Sequence, residues 1–169
     1  DWLHQTYLEK CVNIMITEKV DSVMTDISVI KENGNSKEDY YNVQQGLISK
    51  EKVVIAASIC KVDLKSDLVA EFPELQGIMG GHFALAQGFE KEVCQSISEH
   101  YLPSGLDSKV PKNLYSITLS LSDKLDTLVG FFGLNLIPTG SRDPYALRRN
   151  TIALVRLIVE NKIKIKFRS

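Results

Sequence analysis

Two stretches decide the fold: residues 67–89, DLVAEFPELQGIMGGHFALAQGF, and residues 122–150, SDKLDTLVGFFGLNLIPTGSRDPYALRRN. In the first, Phe72-Pro73 is a start signal, because proline suits the first turn of a helix, where the N–H groups lack partners. Apolar residues then recur at helical spacing. We therefore predict a helix beginning at Pro73, with one buried face made of Leu75, Ile78, Met79, His82, Phe83 and Ala86.

Three glycines interrupt this predicted helix, and each one lowers helix stability. We interpret Gly77, Gly80 and Gly81 as packing residues that allow a neighbouring helix to approach closely. His82 lies on the predicted apolar face, so we expect a core residue and not a metal ligand.

The second stretch predicts a helix, a turn-rich loop and a further helix. The first helix has an apolar stripe, with Ser122, Asp123, Lys124 and Asp126 on the opposite side; the stripe is Leu121, Leu125, Leu128, Val129 and Phe132. Residues 138–144 form the loop, and Asp143 is suited to cap the last helix with Pro144 at its first position. The predicted buried side of that helix is Leu147, Thr151, Leu154, Val155 and Ile158.

Outward from these stretches, the chain continues to favour helices. Helical spacing or capping signals occur in residues 3–15, in residues 18–30 and after Ser36. Residues 53–59 have strand propensity, but no turn signals flank them, so a buried helix is the better interpretation. Residues 89–101 predict another helix. About seven helices and no alternating strands indicate an all-α fold. We expect a single domain over residues 1–169, with a lead-in at 1–35, a core at 36–161 and a basic end at 162–169.

Composition is typical of a globular domain, with 44% hydrophobic and 24% charged residues among 169. No apolar run is long enough to span a membrane, and no signal peptide opens the chain, so we expect a cytoplasmic protein. The cysteines Cys11, Cys60 and Cys94 are widely spaced and lack a CxxC pair, which indicates reduced structural residues. After Ile137 there are eight Lys and Arg against two Asp and Glu, a net +6 on a chain of net −1.

Four motifs, in order, resemble the β subunit of bacterial heterotetrameric glycyl-tRNA synthetase. They are EFPELQGIMG at 71–80, EHYLP at 99–103, DKLDTLVG at 123–130 and PTGSRDP at 138–144 with ALRR at 146–149. Because that subunit is several times longer, the resemblance implies an internal fragment. It also implies a parent that, with an α subunit holding the aminoacylation site and with ATP and Mg, joins glycine to tRNA(Gly). The segment itself is then a noncatalytic scaffold or RNA-contacting domain beside other β-subunit domains, with no cofactor of its own.

Asp123 in LSDKL also resembles the last metal ligand of HD-type phosphohydrolases, which hold a divalent cation on a helical bundle. The His-Asp pair of that family is missing, since Cys60-Lys61 and Val62-Asp63 stand where it would fall, and Lys61 opposes a cation. We therefore expect an HD-like bundle with a degenerate, metal-free site, in which Asp123 is a relic. The alternative is an HD-type metal-dependent phosphohydrolase.

Two further sets of polar residues have competing interpretations. One set is Asp63, Asp67 and Glu71, which are spaced four residues apart and share one helical face if the helix runs unbroken to Pro73. Carboxylates on one face can serve as metal ligands or as an acid/base set. The favoured interpretation is a solvent-exposed edge of the helix. His100 lies near a helix end, where a cationic imidazole is mildly favoured, and we expect it to cap.

The segment 139–149, which includes most of this loop and the start of the last predicted helix, is the strongest candidate for a functional site. Arg142, Arg148 and Arg149 can grip phosphates with forked donors, beside a helix N-terminus that attracts anions. Against this, Asp143 can satisfy the helix end, and Arg148 and Arg149 can pair with the acidic body. The three arginines are the predicted RNA-binding residues.

Overall fold

The computed structural model describes residues 48–140 and 142–163. These residues form helices joined by turns, with no β-strand among them. The helices are α1 (Lys50–Ile59), α2 (Asp67–Glu71), α3 (Ile78–Ala86), α4 (Lys91–Glu99), α5 (Leu114–Gly133) and α6 (Leu147–Glu160), with 3₁₀ turns at Val62–Lys65 and Pro73–Leu75. The predicted all-α class is confirmed, while the helices predicted before residue 48 lie outside the described residues. The HD-like character and the domain division stay predictions.

Short polar side chains start three of these helices. Ser49 accepts a hydrogen bond from the Lys52 N–H at 3.4 Å, and Asn113 accepts one from the Tyr115 N–H at 2.9 Å. Ser66 starts α2 in the same way, through the Val69 N–H. These caps satisfy backbone donors that have no partner inside the helix. The expectation of a helix over residues 53–59 is confirmed by α1, which buries Val53 and Ala56.

Two hydrophobic clusters lie on different sides of α5. The first joins α1, α3 and α4 to α5 through Leu119, and includes Ala56, Cys60, Ala84, Val93, Cys94 and Ile97. The second joins α5 to α6, and includes Val110, Ile117, Leu121, Leu157 and Ile163. Helix α5 is therefore covered from two directions along its first half, where it contacts α1, α4 and α6.

The predicted position and face of α3 are wrong. Gly77 has a φ of +81°, which ends the 3₁₀ turn after Pro73, so that α3 begins at Ile78 and not at Pro73. The buried residues of α3 are Gly80, Gly81 and Ala84, whereas His82 and Phe83 are exposed. The reason is the close approach of α4, which selects the glycine face and turns the large side chains outward.

The glycine interpretation itself is confirmed. A Cβ built on Gly81 would lie 1.8 Å from the Ser98 hydroxyl oxygen and 2.7 Å from the Cys94 carbonyl oxygen. A Cβ on Gly80 would lie 3.0 Å from a methyl carbon of Ile97 and 3.2 Å from the Asp63 carboxyl carbon. Helix α3 thus packs on α4 at a distance that any larger residue would increase.

The predicted faces of α5 and α6 are right only in part. In α5, Leu121 and Leu128 are buried, but Leu125 is half-buried and Val129 and Phe132 are 69% and 50% exposed. Asp123 and Lys124, expected on the solvent side, are buried. A helix packed against neighbours on two sides has no single apolar stripe, and its far end extends past both neighbours.

In α6 the helix begins at Leu147, three residues after Pro144, because Ala146 adopts a left-handed conformation with a φ of 52°. Leu147 is buried as predicted, and Leu154 and Ile158 are partly buried against the second cluster. Thr151 and Val155 are exposed, and Ala153 and Leu157 take the central buried positions instead.

Candidate functional site

A buried ion pair lies where α1 ends against the middle of α5. The Lys61 ammonium nitrogen is 2.7 Å from a carboxylate oxygen of Asp123, and the two side chains are 18% and 10% exposed. The same ammonium lies 4.0 Å from the centroid of the Tyr101 ring, a cation–π distance. The Asp123 carboxylate therefore has a resident cation supplied by the chain.

Both members of this pair are held in their charged forms. Burial is the largest single influence and lowers the pKa of Lys61, but the charge and hydrogen bond of Asp123, together with Tyr101 and Cys60, outweigh it and leave this pKa above its ordinary value. Burial by itself raises the pKa of Asp123, but Lys61 together with His100 and Lys124 brings this pKa below its ordinary value. A charged pair of this kind is costly to break on one side, because the other charge stays buried.

The second lysine of α5 has a different partner. Lys124 is 3% exposed, and its ammonium donates to the carbonyl oxygens of His100 and Tyr101 at 3.4 and 3.3 Å. One turn earlier, the Ser120 hydroxyl donates to the Leu102 carbonyl at 2.5 Å. These α5 side chains satisfy carbonyls that follow the end of α4. Burial lowers the pKa of Lys124 to about 8, with Asp123 opposing that change.

His100 is fully buried at the end of α4. Its Nδ1 donates to the Ile97 carbonyl at 2.6 Å, and its Nε2 has no partner among the described residues. Burial, with a smaller contribution from the charge of Lys61, lowers the pKa of His100 to about 4. His100 therefore caps the end of α4, as expected, through the Ile97 carbonyl, but it does so as a neutral imidazole at neutral pH, because burial outweighs the attraction of the helix end for a cation.

Asp63 is 1% exposed and binds the backbone at the start of α3. Its Oδ2 accepts from the N–H groups of Gly77 and Gly80 at 2.6 and 3.2 Å. Gly77 has no side chain, so Asp63 supplies the cap and the negative charge that a helix N-terminus favours. Asp67 and Glu71 are exposed. The three carboxylates do not share a face, because the chain turns at Ser66 between the 3₁₀ turn and α2.

This arrangement limits the chemistry of the buried cluster. Among residues 48–140 and 142–163, no group of three or more His, Cys, Asp or Glu converges in a way that would hold a metal ion. Burial raises the pKa of the Cys60 thiol to about 12, which keeps this sulfur protonated and a poor nucleophile. Cys60 and Cys94 are buried and unpaired, as expected of structural cysteines, while Cys11 lies outside the described residues.

Sequence reasoning missed most of this cluster. The sequence predicts that Lys61 opposes a cation and that Lys124 lies on the solvent side, and it does not predict the pairing of Lys61 with Asp123. A usable signal was present: Ser116, Ser120 and Lys124 recur every four residues along one line of an apolar helix, and all three are buried. A polar line with helical spacing indicates a buried hydrogen-bonding face when the neighbouring positions are apolar.

The predicted RNA-binding arginines lie at the other end of α5. Arg142, Arg148 and Arg149 are exposed, and no carboxylate of the described residues is within 4 Å of their guanidinium groups. Thr139 and Arg142 exchange backbone hydrogen bonds of 3.2 and 2.9 Å, which closes the loop as a tight turn.

Asp143 caps α6, as predicted, but it does so through a turn. Its two carboxylate oxygens accept from the N–H groups of Leu147 at 2.8 Å and Arg148 at 2.9 Å. The α6 N-terminus is therefore occupied by a side chain of this protein. An anion bound here would meet the arginine side chains and not free helix N–H groups.

Beside the arginines is a stacked aromatic pair. The rings of Phe131 and Tyr145 have centroids 4.4 Å apart and an interplanar angle of 30°. Tyr145 remains 47% exposed, and apolar residues at and after the end of α5, including Phe132, Leu134 and Ile137, are exposed as well. Over the described part of the chain, no helix has both the length and the apolar character that crossing a membrane requires.

Comparison with known proteins places residues 5–169 in the family model described as glycyl-tRNA synthetase beta subunit. The glycine–tRNA ligase beta subunits of Rhodospirillum centenum and Dichelobacter nodosus are each 50% identical over 114 residues, which is 68% of this chain and 16% of each relative. That of Acidithiobacillus ferrooxidans is 51% identical over 105 residues, 62% of this chain and 15% of the relative. The chain thus spans about one-sixth of the length of these relatives.

Proposed function

The chain belongs to the glycyl-tRNA synthetase β-subunit family, and we propose that it is one segment of a subunit that supports the ATP-dependent attachment of glycine to tRNA(Gly). In this proposal the parent works in the cytoplasm with an α subunit that carries the aminoacylation site and uses ATP and Mg. The segment itself is an HD-like, noncatalytic scaffold within the β subunit. It contacts tRNA through Arg142 in the loop and through Arg148 and Arg149 in the first turn of α6.

The noncatalytic role is supported by the way the buried cluster is used. Asp123, the residue expected as the relic of a metal site, is paired with Lys61 at 2.7 Å. Asp63 caps α3, and His100 is neutral and bonded to a backbone carbonyl. Each of these groups has a structural partner inside the fold. The ammonium of Lys61 also opposes a divalent cation at Asp123, which disfavours the phosphohydrolase alternative.

The RNA-contacting role is supported by one observation above others, the three exposed arginines without acidic partners among the described residues. The nearest acidic residue in sequence, Asp143, uses both oxygens on backbone N–H groups. Guanidinium groups free of carboxylates are available to phosphate oxygens, for which their forked donors are well matched.

The test of this role uses the full α/β enzyme with Arg142, Arg148 and Arg149 replaced by Ala one at a time. We expect each replacement to weaken tRNA(Gly) binding and to flatten the dependence of log Kd on log salt by about one counterion. The melting temperature, measured on the same samples, should change little, because exposed arginines contribute little to folding.

Arg156 provides the matched control. It lies in α6, where its Nε is 2.8 Å from Glu160 and its side chain donates to the Gly105 carbonyl at 2.6 Å. Arg156→Ala should lower the melting temperature and leave the salt dependence at the wild-type value. If the salt dependence is unchanged in all three variants, Arg142→Ala, Arg148→Ala and Arg149→Ala, the segment does not contact tRNA through these residues and acts as a scaffold only.

The noncatalytic role has a separate test. Protein purified without a metal-binding tag should contain no stoichiometric Mn, Fe or Zn, and should not hydrolyse nucleotides. A metal-dependent phosphatase activity that disappears in Asp123→Ala would establish the alternative function instead.

A further inference from the structure

The stacked pair of Phe131 and Tyr145 joins the end of α5 to the turn before α6, and neither residue belongs to the two hydrophobic clusters. Phe131 is at the end of α5, past the second hydrophobic cluster, and Tyr145 is in the turn before α6. Phe131 covers one face of the tyrosine ring, yet 47% of Tyr145 is exposed. Tyr145 therefore keeps a large solvent-exposed surface beside its contact with Phe131.

Cationic side chains flank this ring along the chain. Residues 138–149 contain Arg142, Arg148 and Arg149 against Asp143 alone, a net charge of +2. The backbone of the loop is held by the Thr139–Arg142 bonds on one side of Tyr145 and by the Asp143 cap on the other. The ring is thus presented on a fixed turn, which reduces the entropy lost when a ligand binds.

Resting on the proposed function, we propose that Tyr145, supported by Phe131, is a stacking platform for an unpaired base of the bound RNA. The flanking arginines hold the phosphates on either side of that base. An open aromatic face beside guanidinium groups is the combination that binds single-stranded nucleic acid, since every base has a π face and every nucleotide a phosphate. A fully paired RNA helix offers no base face to this ring.

The nucleotide is favoured over a protein partner by charge. A protein docking on three arginines needs acidic residues in matching positions and gains little from one exposed ring. A nucleic acid strand supplies a phosphate and a base at every residue. The experiments must therefore distinguish binding of RNA at this surface from binding of a protein.

The first measurement needs no variant. tRNA(Gly) is bound to the wild-type α/β enzyme and irradiated with short-wavelength ultraviolet light, which can couple any of the four bases to a protein side chain in contact with it. The crosslinked peptides are then identified by mass spectrometry. We expect a crosslink to the peptide that contains Tyr145, because photochemical coupling requires the base to contact the ring. Absence of any crosslink between residues 131 and 149 would overturn the stacking role.

The second measurement compares tRNA(Gly) affinity in variants of the same enzyme. Tyr145→Leu should raise Kd about tenfold at fixed salt, the size expected for loss of one stacked base. Its salt dependence should stay at the wild-type slope, because no charge is removed. Tyr145→Phe keeps the ring and should bind normally. Phe72→Leu, at an exposed aromatic of similar accessibility between α2 and α3, is the matched control and should also bind normally.

The outcomes separate this inference from the proposed function. Normal binding by Tyr145→Leu together with flattened slopes in the arginine variants would leave the phosphate contact and overturn stacking. Unchanged RNA binding in all of these variants would overturn both. If Tyr145→Leu weakens assembly with the α subunit while tRNA affinity per assembled enzyme is unchanged, the surface binds protein and the inference is wrong.

Discussion

The two aspartates Asp123 and Asp143 each lie next to basic residues, and the fold uses them in opposite ways. Asp123 is buried and pairs with the Lys61 side chain, so the two charges neutralise each other inside the molecule. Asp143 binds two backbone N–H groups and leaves the side chains of the neighbouring arginines exposed. The difference shows that basic residues near a carboxylate are available to a partner only where the carboxylate is committed elsewhere.

The two regions also differ in how they are packed. At the cluster, α1, α3, α4 and the first half of α5 meet through small residues and satisfied polar groups. At the arginine loop, α5 has passed its neighbours, and apolar residues such as Val129 and Leu134 are about 70% exposed. We therefore expect changes in the cluster to alter stability, and changes in the loop to alter binding.

The largest effect is expected from Lys61→Met, which leaves Asp123 charged and buried without its cation. The free energy of unfolding of this region should fall by about 3–5 kcal/mol. Pulsed hydrogen exchange on the α4 and α5 peptides, after equilibration in denaturant, measures this within the longer protein. Lys65→Met is the control, because Lys65 is exposed in the following 3₁₀ turn.

The double variant Lys61→Met/Asp123→Leu sharpens that result. Replacing both charges with apolar side chains should recover most of the lost stability, since no uncompensated charge remains. A single variant as stable as Lys65→Met would show that the pair contributes nothing, and the contrast between the two aspartates would fail.

The next effect is a pH dependence from His100. Its pKa is about 4 in the fold against an ordinary 6.5, so between these values the unfolded chain binds a proton that the folded chain does not. The stability from the neutral imidazole is fully present above pH 6.5, and it is lost as pH falls to 4. The loss should reach about 3 kcal/mol.

His100→Gln should remove this pH dependence between pH 6.5 and 4, measured by the same exchange method with the labelling pulse at one fixed pH. His82→Gln is the control, because His82 is exposed on α3. The charged groups facing His100 are Lys61, Asp123 and Lys124. If the stability of His100→Gln depends on pH as that of the wild type does, the acid sensitivity comes from another group.

The smallest effect compares a glycine of each region. Gly81→Ala places a methyl group on Ser98 and should destabilise the region by about 1–3 kcal/mol through overpacking. Gly133→Ala, at the exposed end of α5, meets nothing within 4 Å and should raise stability by up to about 1 kcal/mol, because alanine favours the helix. Both are read from the denaturant midpoint. Equal effects would contradict the difference in packing between the two regions.

Part of this fold follows directly from the sequence. The helical class, the helix over residues 53–59, the glycine contact and the capping role of Asp143 were all predictable, because each depends on local signals such as periodicity, residue size and short-range hydrogen bonding. The family was also predictable from the sequence, because four motifs resemble it in order, and the match to the family model confirms it. The buried faces were predicted less well, and the residues of the polar cluster were mostly missed.

The sequence by itself determined that the chain forms helices, which stretches are helical to within a few residues, and that Arg142, Arg148 and Arg149 fall beside a turn. Only the tertiary structure decided that Asp123 and Lys124 are buried while Val129 and Phe132 are exposed. The physical reason is that burial depends on which neighbours reach a helix along its length. Helix α5 is covered from two directions at its start and extends past them at its end. The pairing of Lys61 with Asp123 joins residues 62 positions apart, and no local pattern specifies it.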